Sequence, residues 1–262
     1  MQIHFISSNE KKLQNWRSEF LNTLKITSKT DEISSATEKI VVDDPIEEKD
    51  NILKISNLSI DIIPKEAFLY QKFSDITRVV IAGNSQRRRI LEIVLHTMNF
   101  YNIPVSYYSD SQINNKEIHF EEDAEFILLE GSHQSISFGD FRAKFLYLHP
   151  VVALINQVPP KEAEKYVAFI DSMTKGGILI YNEEDNLLSE MVAQSENSIR
   201  KIGYKTPDYQ IHNEKVYLIT SEGELLLENI NQHSINDVEG AKWICQNMGI
   251  DPIDFYEALV SF

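Results

Sequence analysis

Short apolar runs rich in Val and Ile alternate along the chain with stretches whose apolar residues recur at helical spacing. The runs predict strands over Gln2–Ile6, Lys39–Val42, Arg78–Ala82, Val105–Tyr108, Glu125–Glu130, Val151–Asn156 and Gly177–Asn182. Several are apolar on both faces, as strands of a parallel sheet covered by helices must be. Helical spacing is found over Glu10–Leu24, Lys65–Phe73, Arg87–Asn102, Lys161–Met173 and Leu187–Ser195. This alternation predicts βαβ units and a doubly wound α/β fold. The region Tyr209–Ile230 reads differently, as strands His212–Thr220 and Glu224–Ile230 joined through Ser221-Glu222-Gly223 in an antiparallel hairpin. Two helices follow, Ile235–Met248 and Pro252–Phe262, with Gly249 placed to end the first and Asp251 to cap the second.

The length of 262 residues suits one large domain or two ordinary ones. The segment Ser28–Asp50 is polar and irregular, and a weak boundary precedes Arg78. The division expected is a Rossmann-like N-terminal domain over 1–77 and a larger α/β domain over 78–262. A formal net charge of −15 argues against sequence-independent nucleic-acid binding and against an anionic membrane surface. The single cysteine, Cys245, lies in an apolar helical stretch and is expected to be a buried, inert thiol. The N-terminal Met1-Gln2-Ile3-His4-Phe5-Ile6 reads as a first strand, not a signal peptide, and no apolar run is long enough to span a bilayer. A cytoplasmic location is expected.

The chemistry-bearing feature is the loop after Arg78–Ala82. A buried strand runs into Gly83, and a helix with Ile90, Leu91, Val94, Leu95 and Met98 on one stripe follows. Strand, glycine, loop and helix is the setting in which backbone N–H groups and a helix N-terminus converge on a phosphate. A working nucleotide loop also needs a second Gly, a Lys for the terminal phosphates and a Ser/Thr hydroxyl for Mg²⁺. The loop here is Gly83-Asn84-Ser85-Gln86-Arg87-Arg88-Arg89. Arg87 retains a positive charge with a different reach, and Arg88 cannot ligate a metal. Three arginines at a helix N-terminus oppose the macrodipole. Either a bound anion compensates them or they pair with the chain's carboxylates.

Phe68–Gly83, Gly176–Asp185 (with Gly176-Gly177-Ile178-Leu179-Ile180-Tyr181-Asn182) and Gly240–Phe262 (with Ala241-Lys242-Trp243-Ile244-Cys245-Gln246) carry a resemblance to the Mur ligases. The branch resembled contains the UDP-N-acetylmuramate–alanine ligases and the murein tripeptide recycling ligase. These enzymes have a UDP-sugar-binding domain, a central ATP-binding domain with a phosphate loop, and a third domain that brings the amino acid or peptide. They activate a carboxylate as an acyl phosphate, which the amine attacks. The resemblance implies that this chain supplies the first two domains and ends where the third begins.

It also implies where ligands would sit, and there the sequence departs from the family. The glycine-rich turn that receives uridine diphosphate is Ser7-Ser8-Asn9-Glu10 here, with a new carboxylate facing any pyrophosphate. Of the phosphate loop only Gly83 matches. Glu130-Gly131 matches the start of a segment whose Glu helps hold Mg²⁺, but Ser132-His133-Gln134 departs from it. The later Asp-His metal pair is replaced by Gln157-Val158-Pro159-Pro160. Of the segment near the adenine, His233 and Asn236 survive. The nucleotide or anion site implied is thus Gly83, Asn84, Ser85, Arg87, Arg88, Arg89, His233 and Asn236, with Glu130 as a remnant metal ligand and no catalytic residue. ATP and Mg²⁺ are the cofactors implied.

The resulting expectation is a pseudoenzyme with a degenerate phosphate loop that binds a partner (a Mur ligase or its own copy) or a cell-wall precursor such as a UDP-sugar. Two alternatives stand beside it. One is a remnant that holds a nucleotide or phosphate-bearing metabolite without hydrolysis; the other is an ATP-dependent ligase completed by another chain. Elsewhere, His96, His119, His133, His149, His212 and His233 lack metal-ligand spacing, although His119 and His133 flank the strand that ends at Glu130. Ser85, Ser132 and Ser135 lack the context of a nucleophile elbow.

Overall fold

The computed structural model describes residues 2–7, 9–20, 24–27, 33, 37–43, 60–135 and 142–262. It is organised around two parallel sheets. The first has the order β2-β1-β3-β4, formed by β1 (Gln2–Ile6), β2 (Leu24–Thr27), β3 (Thr37–Val42) and β4 (Asp61–Pro64), all parallel. Helix α1 (Glu10–Glu19) follows β1, and α2 (Lys65–Lys72) follows β4. The second sheet has the order β11-β10-β9-β5-β8-β6-β7. It comprises β5 (Thr77–Ala82), β6 (Ser106–Ile113), β7 (Lys116–His119), β8 (Phe126–Glu130), β9 (Val152–Ile155), β10 (Ile178–Asn182) and β11 (Arg200–Tyr204). Among the described residues of this sheet, only the β6–β7 pair is antiparallel. Helices α3 (Arg87–Phe100), α4 (Ala163–Ser172) and α5 (Asn186–Gln194) connect its strands. A three-stranded antiparallel sheet of β12 (Tyr209–His212), β13 (Lys215–Thr220) and β14 (Gly223–Leu227) follows, then α6 (Ile235–Asn247) and α7 (Pro252–Val260).

Burial explains the parallel arrangement. Strand β5 is buried from Arg78 through Ala82, and β9 over all four residues, so both faces need helical cover. On one face α3, α6 and α7 bury Ile90, Val94, Ile244 and Phe255 against the sheet. On the other, Phe145, Tyr166 and Phe169 pack in a cluster that runs without a break into Phe5, Trp16 and Phe68 of the first sheet's layer. The two sheets therefore share one apolar core. Polar bonds cross the same seam: Trp16 Nε1 donates to Glu117 at 2.7 Å, and the backbone N–H of Phe120 donates to Glu19 at 2.8 Å.

Several expected boundaries move. Helix α1 ends at Glu19, and Leu24, expected to end that helix, instead opens β2 beside β1. Sheet pairing overrides the helical pattern there. Strands β4, β7, β11 and β12 were not predicted. Two of them are hidden by tight turns without glycine. Asn114-Asn115 and Asn213-Glu214 both have positive φ, at 51° and 66° and at 50° and 63°, and join β6 to β7 and β12 to β13. Such paired left-handed residues give the two-residue turn whose twist matches a hairpin. Gly249 ends α6 as expected, with φ of 91° and the Ile250 N–H bonded to the Cys245 carbonyl at 3.0 Å. Asp251 takes the N-cap position of α7 but makes no side-chain capping bond. Ser8 and most of the polar segment Ser28–Asp50 lie outside the described residues. Among the described residues, no helix is long and apolar enough to cross a membrane.

Candidate functional site

Strands β5, β9 and β10 end side by side, and a cleft of about 420 Å³ opens beyond their carboxyl ends. Ligands bind open α/β sheets in this position. The loop from β5 to α3 forms one wall. Gly83 has φ of 132°, and a Cβ there would lie 1.8 Å from Asn156 Oδ1, so only glycine lets the strand end make this turn.

That contact shows how the loop is held. The Asn84 N–H, the first donor beyond the glycine, is bonded to Asn156 Oδ1 at 3.1 Å. Asn156 Nδ2 donates back to Asn84 Oδ1 at 2.9 Å, and the same oxygen accepts the Gln86 N–H at 2.8 Å. Asn84 Nδ2 donates to Gln157 Oε1 at 2.6 Å. The Gly83 carbonyl accepts from the Tyr166 hydroxyl at 3.0 Å. The N–H groups of Asn84 and Gln86 are therefore taken by carboxamide oxygens of the chain itself. Gln86 stands at the N-cap of α3 with no side-chain capping bond, and the pair Asn84–Asn156 does the closing from either side.

The three arginines are paired as well. Arg87 Nη2 lies 3.0 Å from Glu130 Oε1, with the Glu130 side chain 4% exposed. The other oxygen of Glu130 accepts from Ser109 Oγ at 2.6 Å and the Asp110 N–H at 3.1 Å. Arg87 also donates to the Asn84 carbonyl at 3.0 Å. Arg88 bonds Glu92 at 2.9 Å and the Gln112 carbonyl at 2.9 Å. Arg89 donates to the Asn229 carbonyl and stacks over Phe262. The three charges thus meet partners of their own fold, which offsets their conflict with the dipole of α3.

The rest of the cleft is lined by carboxamides and carboxylates, among them Asn182, Asn236, Glu184 and Asp237. Glu184 accepts from the Thr206 hydroxyl at 2.6 Å and from Asn236 at 3.2 Å. Asp237 is buried and its Oδ2 has no hydrogen-bond partner. Burial pushes its carboxyl up to about 7, against the smaller opposing effects of Asn156 and Arg89. Of the sequence-predicted residues, Asn84 and Asn236 line this cleft, while the side chains of Arg88 and Arg89 line a separate groove with His96 and Phe262. His233 is exposed, its carbonyl accepting from Gln86 Nε2 at 3.3 Å. His119 bonds Glu121 at 2.8 Å and His133 approaches Tyr166 at 3.4 Å, so the two histidines beside β8 turn to different neighbours.

The turn after β1 is closed in the same manner. Asn9 Oδ1 caps α1, accepting the N–H groups of Lys11 and Lys12 at 3.1 and 3.3 Å. Ser7 Oγ donates to Asp43 at 2.9 Å, and Asp43 is clasped by Lys65 at 2.7 Å and Lys12 at 3.0 Å. Burial works against the Asp43 charge, yet these two ammonium groups hold its carboxyl below the usual carboxylate range. Glu10, expected to face a pyrophosphate, pairs instead with Arg17 on the surface at 3.2 Å. Sequence reasoning missed Asn156, Asp43 and Lys65. Each stands at or just beyond the carboxyl end of a predicted strand or the start of a predicted helix, which is the available signal.

Comparison with known proteins accords with this architecture. No protein-family model matches the chain. It is 21% identical over 234 residues to a UDP-N-acetylmuramate–L-alanine ligase of Vesicomyosocius okutanii, covering 82% of this chain and 50% of that protein. The chain thus spans half the length of the curated relative it matches. Its fold superimposes on the UDP-N-acetylmuramate:L-alanyl-γ-D-glutamyl-meso-diaminopimelate ligase of Neisseria meningitides with a TM-score of 0.79, over 100% of this chain and 98% of that one at 11% identity. A murein peptide ligase of Psychrobacter arcticus gives 0.76 over 100% and 68% of the two chains, at 13% identity. The UDP-N-acetylmuramate–alanine ligase of Thermotoga maritima gives 0.73 over the same shares, at 11% identity. In sequence over most of its length the chain is similar to a UDP-N-acetylmuramate–L-alanine ligase, and it shares its fold with the Mur ligases named above.

Proposed function

We propose that this chain is a non-catalytic Mur-ligase-like protein that acts by binding, either a protein partner such as an active ligase or a cell-wall precursor. One observation carries this reading: the loop after β5 is closed by Asn84 and Asn156, so the N–H groups of Asn84 and Gln86 are spent before any phosphate arrives. Three of the relatives are ligases of UDP-N-acetylmuramate by name and the fourth is a murein peptide ligase, and the resemblance implies Mg·ATP chemistry for them. The residues present here do not fit that group. Arg87 occupies the place of the phosphate-binding lysine and is neutralised by Glu130. Arg88 occupies the place of the metal-binding hydroxyl and pairs with Glu92. Glu130 is already filled by Arg87, Ser109 and Asp110. Among the described residues, no group of three His, Cys, Asp or Glu side chains could hold a metal ion. We therefore derive no phosphoryl-transfer step for this chain.

A second reading, a ligand-binding remnant, draws on the cleft itself. Its wall offers many amide donors and acceptors, and among the described residues no Lys, Arg or His lines it. Such a wall suits an uncharged polar group such as a nucleoside better than a triphosphate. Isothermal titration with Mg·ATP, adenosine and a UDP-sugar separates the readings. Binding of adenosine without tighter binding of Mg·ATP supports the remnant; no binding of any of them leaves the protein-partner reading. Amino-acid-dependent ATP hydrolysis refutes both and favours a ligase completed by another chain.

A further inference from the structure

Strand β12 lies at the edge of the three-stranded sheet, and its two apolar side chains are uncovered. Tyr209 pairs with Leu218 and Ile211 with Val216, so all four point to the same face of the sheet. Val216 and Leu218 are buried in the core under the helices, 4% and 1% exposed. Tyr209 and Ile211 remain 37% and 46% exposed. The core face of the sheet thus runs on past its cover onto β12.

The backbone of β12 is open on the same side. The Ile219 N–H donates to the Asp208 carbonyl at 2.9 Å. In an antiparallel pair such bonds alternate, so Gln210 and His212 also direct their main-chain groups to β13. Tyr209 and Ile211 direct theirs to the free edge. Natural edges are usually blunted by Pro, Lys, a bulge or an inward-pointing charge, and Tyr209-Gln210-Ile211-His212 holds none of these.

We propose that β12 pairs with β12 of a second copy of this chain across a two-fold axis normal to the sheet. The register follows from the chemistry. A two-fold antiparallel pair that keeps both core faces on one side must set residues of like parity opposite each other. Centring it on Gln210 puts Tyr209 opposite Ile211 twice. These are the residues with free main-chain groups, so they form the two hydrogen-bonded pairs. Aromatic against β-branched is also a favourable cross-strand combination. Gln210 then meets its own copy as a non-hydrogen-bonded pair, amide against amide. Beyond it, the Asp208 carboxylate of each copy faces the His212 imidazole of the other, an acceptor opposite a ring N–H donor, so the flanking groups are complementary. A single strand thus supplies both halves of an isologous interface, in which four uncovered apolar side chains cover one another. A different partner strand would have to match all these positions; a second copy matches them by symmetry. The inference is independent of what the cleft binds.

Sedimentation velocity on the full chain at increasing concentration tests it, and the expected result is a monomer–dimer equilibrium. Ile211→Pro removes an N–H that faces the edge and leaves the β13 ladder intact, so it should abolish the dimer while circular dichroism stays native. Ile211→Lys, which places a charge on the edge without touching the backbone, should do the same. The register has its own test. Gln210→Cys should form a disulfide-linked dimer on mild oxidation, because the two Cα atoms of a non-hydrogen-bonded pair lie about 4.5 Å apart. Cys245 is buried and does not compete. Three results would overturn the proposal: a monomer at every concentration, as expected if another protein or further chain occupies this edge; a dimer that survives both Ile211 variants; or Gln210→Cys that remains uncrosslinked.

Discussion

Removing the Glu130 carboxylate should do more damage than removing any other single charge at the loop. Its side chain is 4% exposed and makes three contacts: Arg87 at 3.0 Å, the Ser109 hydroxyl at 2.6 Å and the Asp110 N–H at 3.1 Å. In Glu130→Ala the Arg87 guanidinium, only 16% exposed, is left without a counter-charge. Breaking one side of a buried ion pair costs about 3–5 kcal/mol, because the surviving charge stays desolvated. At roughly 2–4 °C per kcal/mol for a chain near this size, the melting point should fall by about 6–20 °C. Arg87→Ala should cost less, since Glu130 keeps its two hydrogen-bond donors. Circular dichroism melts with parallel urea titrations measure both. The same experiment tests the idea that internal pairing replaced a ligand. Inorganic phosphate should raise the melting point of Glu130→Ala, where Arg87 is unpaired, and leave the unmodified chain unchanged. A Glu130→Ala variant within about 1 kcal/mol of the unmodified protein would refute the reasoning, because it would place Arg87 in water.

The loop and cleft give three further predictions. Gly83→Ala should destabilise by at least about 2 kcal/mol in urea titrations, since its Cβ meets Asn156 Oδ1 at 1.8 Å on a backbone of φ 132°. Asn156→Ala should cost about 1–3 kcal/mol and free the Asn84 N–H, so weak phosphate binding, absent from the unmodified chain, should appear by isothermal titration in that variant. Asp237 carries a carboxyl raised from 3.8 to about 7 by burial, so its contribution to stability is full below pH 3.8 and is lost as pH rises towards 7. Asp237→Asn should therefore flatten the stability profile across that window and be the more stable protein at pH 8, by about 4 kcal/mol, with no such advantage at acid pH.

How much of this was legible in the sequence depends on the kind of signal. The doubly apolar strands around Arg78–Ala82 and Val151–Asn156 declared the parallel sheet, because burial on both faces leaves no polar alternation to confuse the reading. Gly83 and Gly249 stood where the chain needs positive φ. Strand β12 was not legible, since the Asn213-Glu214 turn lacks glycine and the four residues before it are all exposed. Strand β2 was masked by a helical pattern that the pairing of Leu24 with Ile3 overrides. At the site, the sequence showed which family side chains were missing but not what replaced them. That Asn156 reaches back from β9 to close the β5 loop is a contact across 72 residues. That Asn9 caps α1 is local and readable, being an N-cap asparagine directly before a helix.

The central claim is that the helix N-termini that follow β1 and β5 are closed by the chain's own asparagines, Asn9 at α1 and the pair Asn84–Asn156 at α3. Thermal unfolding of the purified protein with and without millimolar Mg·ATP tests it most directly. A ligand at about 100 times its dissociation constant would add roughly 2.7 kcal/mol, a shift of several degrees. The account predicts no shift with Mg·ATP beyond that given by magnesium alone; a saturable rise in melting temperature, lost in Arg87→Ala, would contradict it.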